Sequence, residues 1–241
     1  MRRSKRADPV LAAEYFALKS ALAARYSDDR DGYADAQARF IKSTIARMMA
    51  RFDNALPRAT DRLLRRRFRS DDLARFQSYR CDPEVGRYQG WSAMDDAGAA
   101  AFIGAMSTAQ FGVAGDWFQI AVANRSTDEL IGDIGTCLRD DGTRTAEIGF
   151  TIAPAAQGRG FGTEAVMGML ALLFESGSVD FIEGITDARN VPSIRLLARV
   201  GMRLARTREV VFKGEMCTEH VYSIARSAWP ATVEVKAGNP R

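Results

Sequence analysis

The sequence predicts an α/β (α+β) protein with a central mixed, mostly antiparallel sheet, flanking helices and an N-terminal helical hairpin. Three observations lead there. Residues 117–152 hold successive strand patterns separated by short polar turns, which reads as antiparallel pairing. A strand alternating from Ala146 to Ile152 passes through a glycine-rich loop into Val166, Met169, Leu170 and Leu173 at helical spacing. Residues 8–52 are rich in alanine and charge and carry no strand signal.

The 241 residues are 46% hydrophobic, enough for one full core and an appendage. A net charge of +4 is mildly basic and does not by itself call for nucleic acid. The arginines crowd locally, with Arg51, Arg58, Arg62, Arg65, Arg66, Arg67, Arg69, Arg75 and Arg80 close together. A solvated face around an edge strand is the expected use of that run. Cys81, Cys137 and Cys217 are far apart, and His220 is the sole histidine. Neither a disulfide framework nor a metal site is expected, and a reducing cytoplasm fits. No stretch nears ~18 uninterrupted apolar residues, so no membrane span is expected.

Taken in order, Asp8-Pro9 opens a helix over 10–25, Ser27 to Gly32 breaks it, and a second helix runs from Tyr33 to Phe52. Asn54 to Pro57 reads as a linker, which makes 1–57 an extension, 58–227 the main domain and 228–241 a flexible tail. Residues 62–69 form a first strand, and Ser70-Asp71-Asp72 caps a helix reaching Tyr79. An alanine-rich helix spans 92–109. Strands follow at 117–123 and 130–138, with Asp141-Gly142 as a two-residue hairpin turn into the Ala146 strand. Gly177 ends the next helix, 180–186 is a strand, 192–200 a short helix, and 210–212 with 219–225 a closing hairpin.

Gly158, Gly160 and Gly162 stand between the strand stopped by Pro154 and the helix. Free N–H groups of a first helical turn, together with the helix dipole, favour an anion there, so the loop reads as a pyrophosphate cradle. No lysine stands near Gly162 for a P-loop, and the GxGxG spacing departs from the GxGxxG of a dinucleotide fold.

Gln157-Gly158-Arg159-Gly160-Phe161-Gly162 follows the Q/R-x-x-G-x-G/A loop of the GNAT N-acetyltransferase superfamily. Over residues 60–226 the chain resembles its RimJ/RimL-type branch. The likeness is carried by TDRLLRRRF (60–68), CDPEVGRYQGW (81–91), AEIGFTIAPAAQGRGFGTEAV (146–166), NVPSIRLLARVGM (190–202) and FKGEMCTEHVYSI (212–224). Residues 8–52 resemble the C-terminal helical part of the GrpB-like family; that family's sheet and acidic motif have no counterpart here, so no nucleotidyl transfer follows.

The superfamily resemblance implies a GNAT fold that uses acetyl-CoA, with no metal, in a V-shaped cleft between two splayed strands. Gln157, Gly158, Arg159, Gly160, Phe161, Gly162 and Thr163 would bind the pyrophosphate through backbone N–H groups, with Arg159 adding charge. Phe150, Thr151 and Ile152 would pair with the pantetheine amides, and Gly149 suits a bulge that splays the strand. Glu147 is the expected general base, since an amine of pKa ~10 must lose a proton before it attacks. Asn190 would contact the cofactor and Ser193 face the departing sulfur. Leu197 stands where many members carry an acid tyrosine. Tyr88 and Trp91 would line the substrate mouth.

The expected function is acetyl transfer to a primary amine (a protein N-terminus, aminoglycoside or polyamine) by direct attack in a ternary complex. The alternative is a non-catalytic acyl-CoA-binding or regulatory module. The expected partners are acetyl-CoA, an amine acceptor and a second copy in a homodimer, with neither membrane nor nucleic acid.

Overall fold

The computed structural model describes residues 32–33, 35–36, 56–177 and 179–229. Gly32, Tyr33, Asp35 and Ala36 are helical. The rest of the expected N-terminal hairpin, nearly all of the GrpB-like stretch and the tail beyond 229 lie outside the described residues.

The sheet has eight strands: β1 (Arg58–Ala59), β2 (Leu63–Arg66), β3 (Trp117–Asn124), β4 (Leu130–Leu138), β5 (Thr145–Ile152), β6 (Phe181–Asp187), β7 (Arg203–Phe212) and β8 (Glu215–Ala225). Their spatial order is β1-β2-β3-β4-β5-β6-β8-β7. Every neighbouring pair is antiparallel except β5 and β6. Between those two the chain crosses over through the long helix over Phe161–Glu175, named α4 in chain order, which lets β6 run the same way as β5. The other helices are α1 (Leu73–Arg80), α2 (Pro83–Gly86), α3 (Asp96–Thr108), α4 (Phe161–Glu175) and α5 (Val191–Arg199).

Each face of the sheet has its own core. On one, α4 covers Leu63, Ile120, Val122, Ile134, Ile148 and Ile182. Residues 168–174 of α4 are all buried, as an all-round apolar helix requires. Arg65 of β2 is buried beneath it with none of its guanidinium nitrogens hydrogen-bonded, lying against Gly168. Burial, aided by Arg58, lowers its pKa to about 10. The second core lies under α1 and α3, where Phe68, Phe76 and Phe102 meet with ring centroids 5.4–6.2 Å apart.

The arginine run is only in part the solvated face expected of it, with Arg62, Arg69 and Arg75 exposed. Arg65, Arg66 and Arg80 are buried. Arg66 bonds Asp72 through two nitrogens at 2.7 and 2.9 Å and reaches Asp128 at 2.7 Å. Arg80 meets Asp133 at 2.8 Å, and Tyr79 donates to the same carboxylate at 2.7 Å. Paired in this way, the charges tie α1 and the turn before it to the sheet.

Some boundaries differ from expectation for local reasons. The helix expected from Ser92 starts at Asp96, because the Asp95 carboxylate accepts the Gly98 N–H at 2.8 Å and caps it there. Asp141-Gly142 is not a two-residue turn: residues 139–144 connect β4 to β5, with Asp141 accepting from Thr143 N–H and Arg144 at φ 50°. The closing hairpin is longer than expected, since most of β7 is exposed and shows no alternation. It turns at Lys213 and Gly214, both at positive φ, as a tight turn of that hand demands. Arg226 to Ala228 form a short helical turn, after which Trp229 packs on Phe174 at 5.8 Å.

Ile131 is an extra residue in β4, since Val122 pairs with Gly132 while Ala123 pairs with Leu130. At this bulge β4 and β5 approach so closely that a Cβ on Gly132 would stand 2.2 Å from the Thr151 carbonyl oxygen. Gly132→Ala should therefore cost about 2–4 kcal/mol. Gly104→Ala, in open space on α3, should be neutral or stabilising by up to ~1 kcal/mol. Thermal unfolding of both variants checks the pair; equal midpoints would contradict it.

Candidate active site

The site begins where two strands part. β4 holds β5 in unbroken register from Leu138↔Ala146 to Gly132↔Ile152. β6 pairs with β5 only from Thr145↔Phe181 to Ile148↔Gly184, while β8 stays with β6 to Asp187↔Glu219. Each splayed strand is thus kept by its outer neighbour, and a V opens after Ile148. The bulge expected at Gly149 is absent from the β4 register; the splay arises on the β6 side alone. Two free β5 carbonyls are met by side-chain amides: Gln89 Nε2 donates to Phe150 at 3.3 Å and Gln157 Nε2 to Ile152 at 2.9 Å. Thr151 is buried on the face of α1 and α3, whereas Phe150 and Ile152 are half-buried on the α4 side.

The glycine loop lies at the open end of β5. Gly158 and Gly160 have φ 73° and 80°, a region costly for any side chain. Gly160 is the N-cap of α4 and offers no capping side chain. The first intrahelical N–H bond is Glu164 to Gly160, so the N–H groups of Phe161, Gly162 and Thr163 point outward unclaimed by the helix. Gly162 serves packing, since a Cβ there would stand 2.8 Å from Leu196 of α5. Gln157 shapes the loop, its N–H bonded to Pro154 and its side chain to Ile152. The exposed Arg159 guanidinium sits 4.8 Å over the buried Phe161 ring, and Arg62 lies 4.7 Å from the same ring. Thr163 accepts from Arg199 at 3.4 Å.

A side-chain row crosses the other face of the sheet, opposite α4. Cys137, Glu147 and Glu183 are register partners on β4, β5 and β6. Glu183 is buried and held by Arg206 through two bonds of 2.9 and 3.0 Å, and by Arg139, which reaches across β5 to it. Glu147 is half-buried and has no hydrogen bond or ion pair among the described residues. Burial raises its pKa; Glu183 and Glu219 push the same way, while Arg139 and Arg208 oppose.

The remaining expected residues surround the mouth. The Asn190 side chain caps α5 by accepting the Ser193 N–H at 3.3 Å, which leaves its amide NH2 and the Ser193 hydroxyl without a partner among the described residues. Leu197 is buried against Gly184, so a hydrocarbon fills the place of the absent tyrosine. Tyr88 lies near Arg189, which itself forks onto Asp187. Trp91 is half-buried, packed on Gly86 with Arg80 4.5 Å over its ring. Lys213, from the β7–β8 turn, donates to the carbonyls of Gly86 and Trp91 at 2.8 and 3.3 Å, bracing segment 86–91 over the mouth. Gln89 and Trp117, both at the splay, were not singled out in the sequence. Only the pairing of β3 with β4 and of β4 with β5 brings Trp117 to Gly149. Among the described residues no three of His, Cys, Asp or Glu converge as a metal site, and no helix is long and apolar enough to cross a membrane.

The model of the GNAT acetyltransferase domain matches residues 62–203, and the chain belongs to that family. It is an acetyl-CoA-dependent acetyltransferase. It is 28% identical over 170 residues to the N-acetyltransferase p20 of Bacillus licheniformis, covering 69% of this chain and 94% of that protein. It is 29% identical over 176 residues to YnaD of Bacillus subtilis, covering 70% and 97%. Among solved structures, a GNAT-family acetyltransferase of Bacillus anthracis superposes with a TM-score of 0.63 at 23% identity, covering 70% and 98%. RimJ of Mycobacterium smegmatis in complex with a CoA-disulfide superposes at 0.60 and 18%, covering 73% and 91%.

The first turn of α4 is anchored through Glu164, which accepts from Thr60 Oγ1, the Arg62 N–H at 2.9 Å and Arg62 Nε at 2.7 Å. Burial alone would raise this carboxyl, but those bonds and the Arg62 charge outweigh it and hold the pKa low. A carboxylate depressed in the fold stabilises above its unfolded value of ~4.3 and loses that benefit as pH falls through the lower folded value. Glu164→Gln should thus destabilise by about 1 kcal/mol at pH 7, solvent screening on the Arg62 side included. Denaturant melts at pH 7 and pH 3 check it: the gap should shrink at the lower pH.

Proposed function

We propose that the protein acetylates a primary amine by direct attack on the acetyl-CoA thioester, with Glu147 accepting the amine's proton. The observation that carries the reading is the place of Glu147. It is half-buried and unpartnered, two residues before the free edge of β5, on the face away from α4. The outward N–H groups of residues 161–163 and the dipole of a fifteen-residue helix suit a pyrophosphate, and Arg159 adds an exposed charge. The unpaired edge of residues 149–152 suits amide-to-amide pairing with pantetheine, with Gln89 yielding the Phe150 carbonyl. Acetyl-CoA, when bound, supplies an activated acyl group on a thiol of pKa near ~8.5 that leaves without strong acid help. Ser193 supports the sulfur side through its free hydroxyl, and Asn190 through its amide.

Residues 58–227 act as the catalytic domain, with 1–57 as an appended extension and 228–241 as a tail. The three cysteines are free, which supports a reducing, cytoplasmic setting. Arg58, Arg62, Arg66, Arg69, Arg75 and Arg80 are each paired with a carboxylate, which weighs against a nucleic-acid surface.

Thiol release from acetyl-CoA in the presence of an amine panel tests the activity, and no release with any amine would favour the binding-module alternative. Glu147→Gln should lower kcat/KM by roughly 10²-fold near neutral pH. The sign of the pH dependence follows from burial. A base with a raised pKa is protonated as pH falls through that value, so the wild-type acid limb lies above ~4.3 and is missing in Glu147→Gln. An unchanged profile in the variant would remove Glu147 from the role.

A further inference from the structure

The row through Glu147 starts with an aromatic residue that the acetyl donor leaves without a role. Trp117, the first residue of β3, pairs with Cys137, which pairs with Glu147. Cross-strand partners share a face, so Trp117 and Glu147 stand in line with only Cys137 between them. The indole leans along the sheet over Gly135 and Gly149. A Cβ on Gly135 would meet its Cε3 at 3.1 Å, and one on Gly149 would meet Cζ3 and Cη2 at 3.5 and 3.6 Å. The small residue at 135 lets the ring lie down, and at 149 it reaches the first unpaired residue of the V. Trp117 remains 43% exposed although the next residue, Phe118, is buried.

We infer that Trp117 is the platform for the acceptor, and that the acceptor is a monoamine carrying a flat apolar group a few atoms from its nitrogen, of the arylalkylamine kind. The inference rests on the proposed role of Glu147 and adds the substrate class. An indole face attracts both a flat ring and an ammonium, and a carboxylate one strand beyond Cys137 takes the proton. The charge inventory argues against a polycation. Glu183 is matched by Arg139 and Arg206, Glu219 by Arg208, and Asp187 by Arg189. Glu147 and the exposed Asp116 are the carboxylates of this region without an ion pair among the described residues. A spermidine or aminoglycoside would find two unpaired carboxylates there rather than an array, since the other three are matched by guanidinium groups. Cys137 does not compete for the acetyl group, because burial and the charges of Glu147 and Asp116 push its thiol pKa up and keep it protonated.

The test uses the full chain as wild type, Trp117→Ala and Trp117→Phe, with phenethylamine, spermidine and a short peptide as acceptors. Phenethylamine should be preferred over spermidine by at least about tenfold in kcat/KM. Trp117→Ala should raise the phenethylamine KM about tenfold with the acetyl-CoA KM within about twofold, and Trp117→Phe should recover most of the loss. A preference for spermidine or peptide, an unmoved amine KM, or equal rises in both KM values would overturn the inference. Phenethylamine quenching of indole fluorescence, taken as wild type minus Trp117→Phe, reads the platform without turnover, and no difference overturns it. Calorimetric binding of acetyl-CoA is scored separately, so failure of the donor reading is distinguishable from failure of the platform.

Discussion

β5 is clasped by β4 along its whole length and by β6 along only half of it, and the site depends on that inequality. If β6 followed β5 to Ile152, no free edge would exist for a second chain of amides. If β4 released β5 as well, nothing would keep residues 149–152 extended. The outer partners make the parting stable: β4 keeps β5, and β8 keeps β6 through Asp187. Behind the fork, Leu197 packs on Gly184 and Leu196 on Gly162, which joins the V to the glycine loop through α5. The ion pairs of Glu183 lie just before the fork and tie β4, β6 and β7 together there.

The fork also sets the electrostatics. On one side the helix start offers N–H donors and positive dipole to an anion. On the other, Glu147 remains without a cation because Arg139 is engaged by Glu183, one strand further on. The neighbouring carboxylate takes up the available positive charge, and Glu147 is left half-buried with a raised pKa. Donor N–H groups and an unpaired carboxylate thus stand within reach of one strand.

The parts of this arrangement that local chemistry writes were legible in the residues. Pro154 predicted the end of β5, and Val166 to Leu173 the helix after the glycine loop; both are observed. The fold class and the family followed from motifs in order. Features that depend on pairing were not legible. The splay was expected from a bulge at Gly149, whereas it comes from the extent of β6 pairing, which no local pattern encodes. The burial of Arg66 and Arg80 was not legible because Asp128 and Asp133, which meet them, lie more than fifty residues away in sequence. Trp117 was read as the start of a strand, and its approach to Gly149 requires two strand registers at once. Most of β7 is exposed and charged, so its length left no apolar signal.

The most direct measurement is a crystal structure of the full chain with acetyl-CoA. The pyrophosphate should lie on the N–H groups of residues 161–163 and the pantetheine along residues 149–152, with Gln89 displaced from the Phe150 carbonyl and the acetyl group between Glu147 and the Trp117 ring. A cofactor bound elsewhere, or one in the V with its acetyl group away from Glu147, would contradict the account.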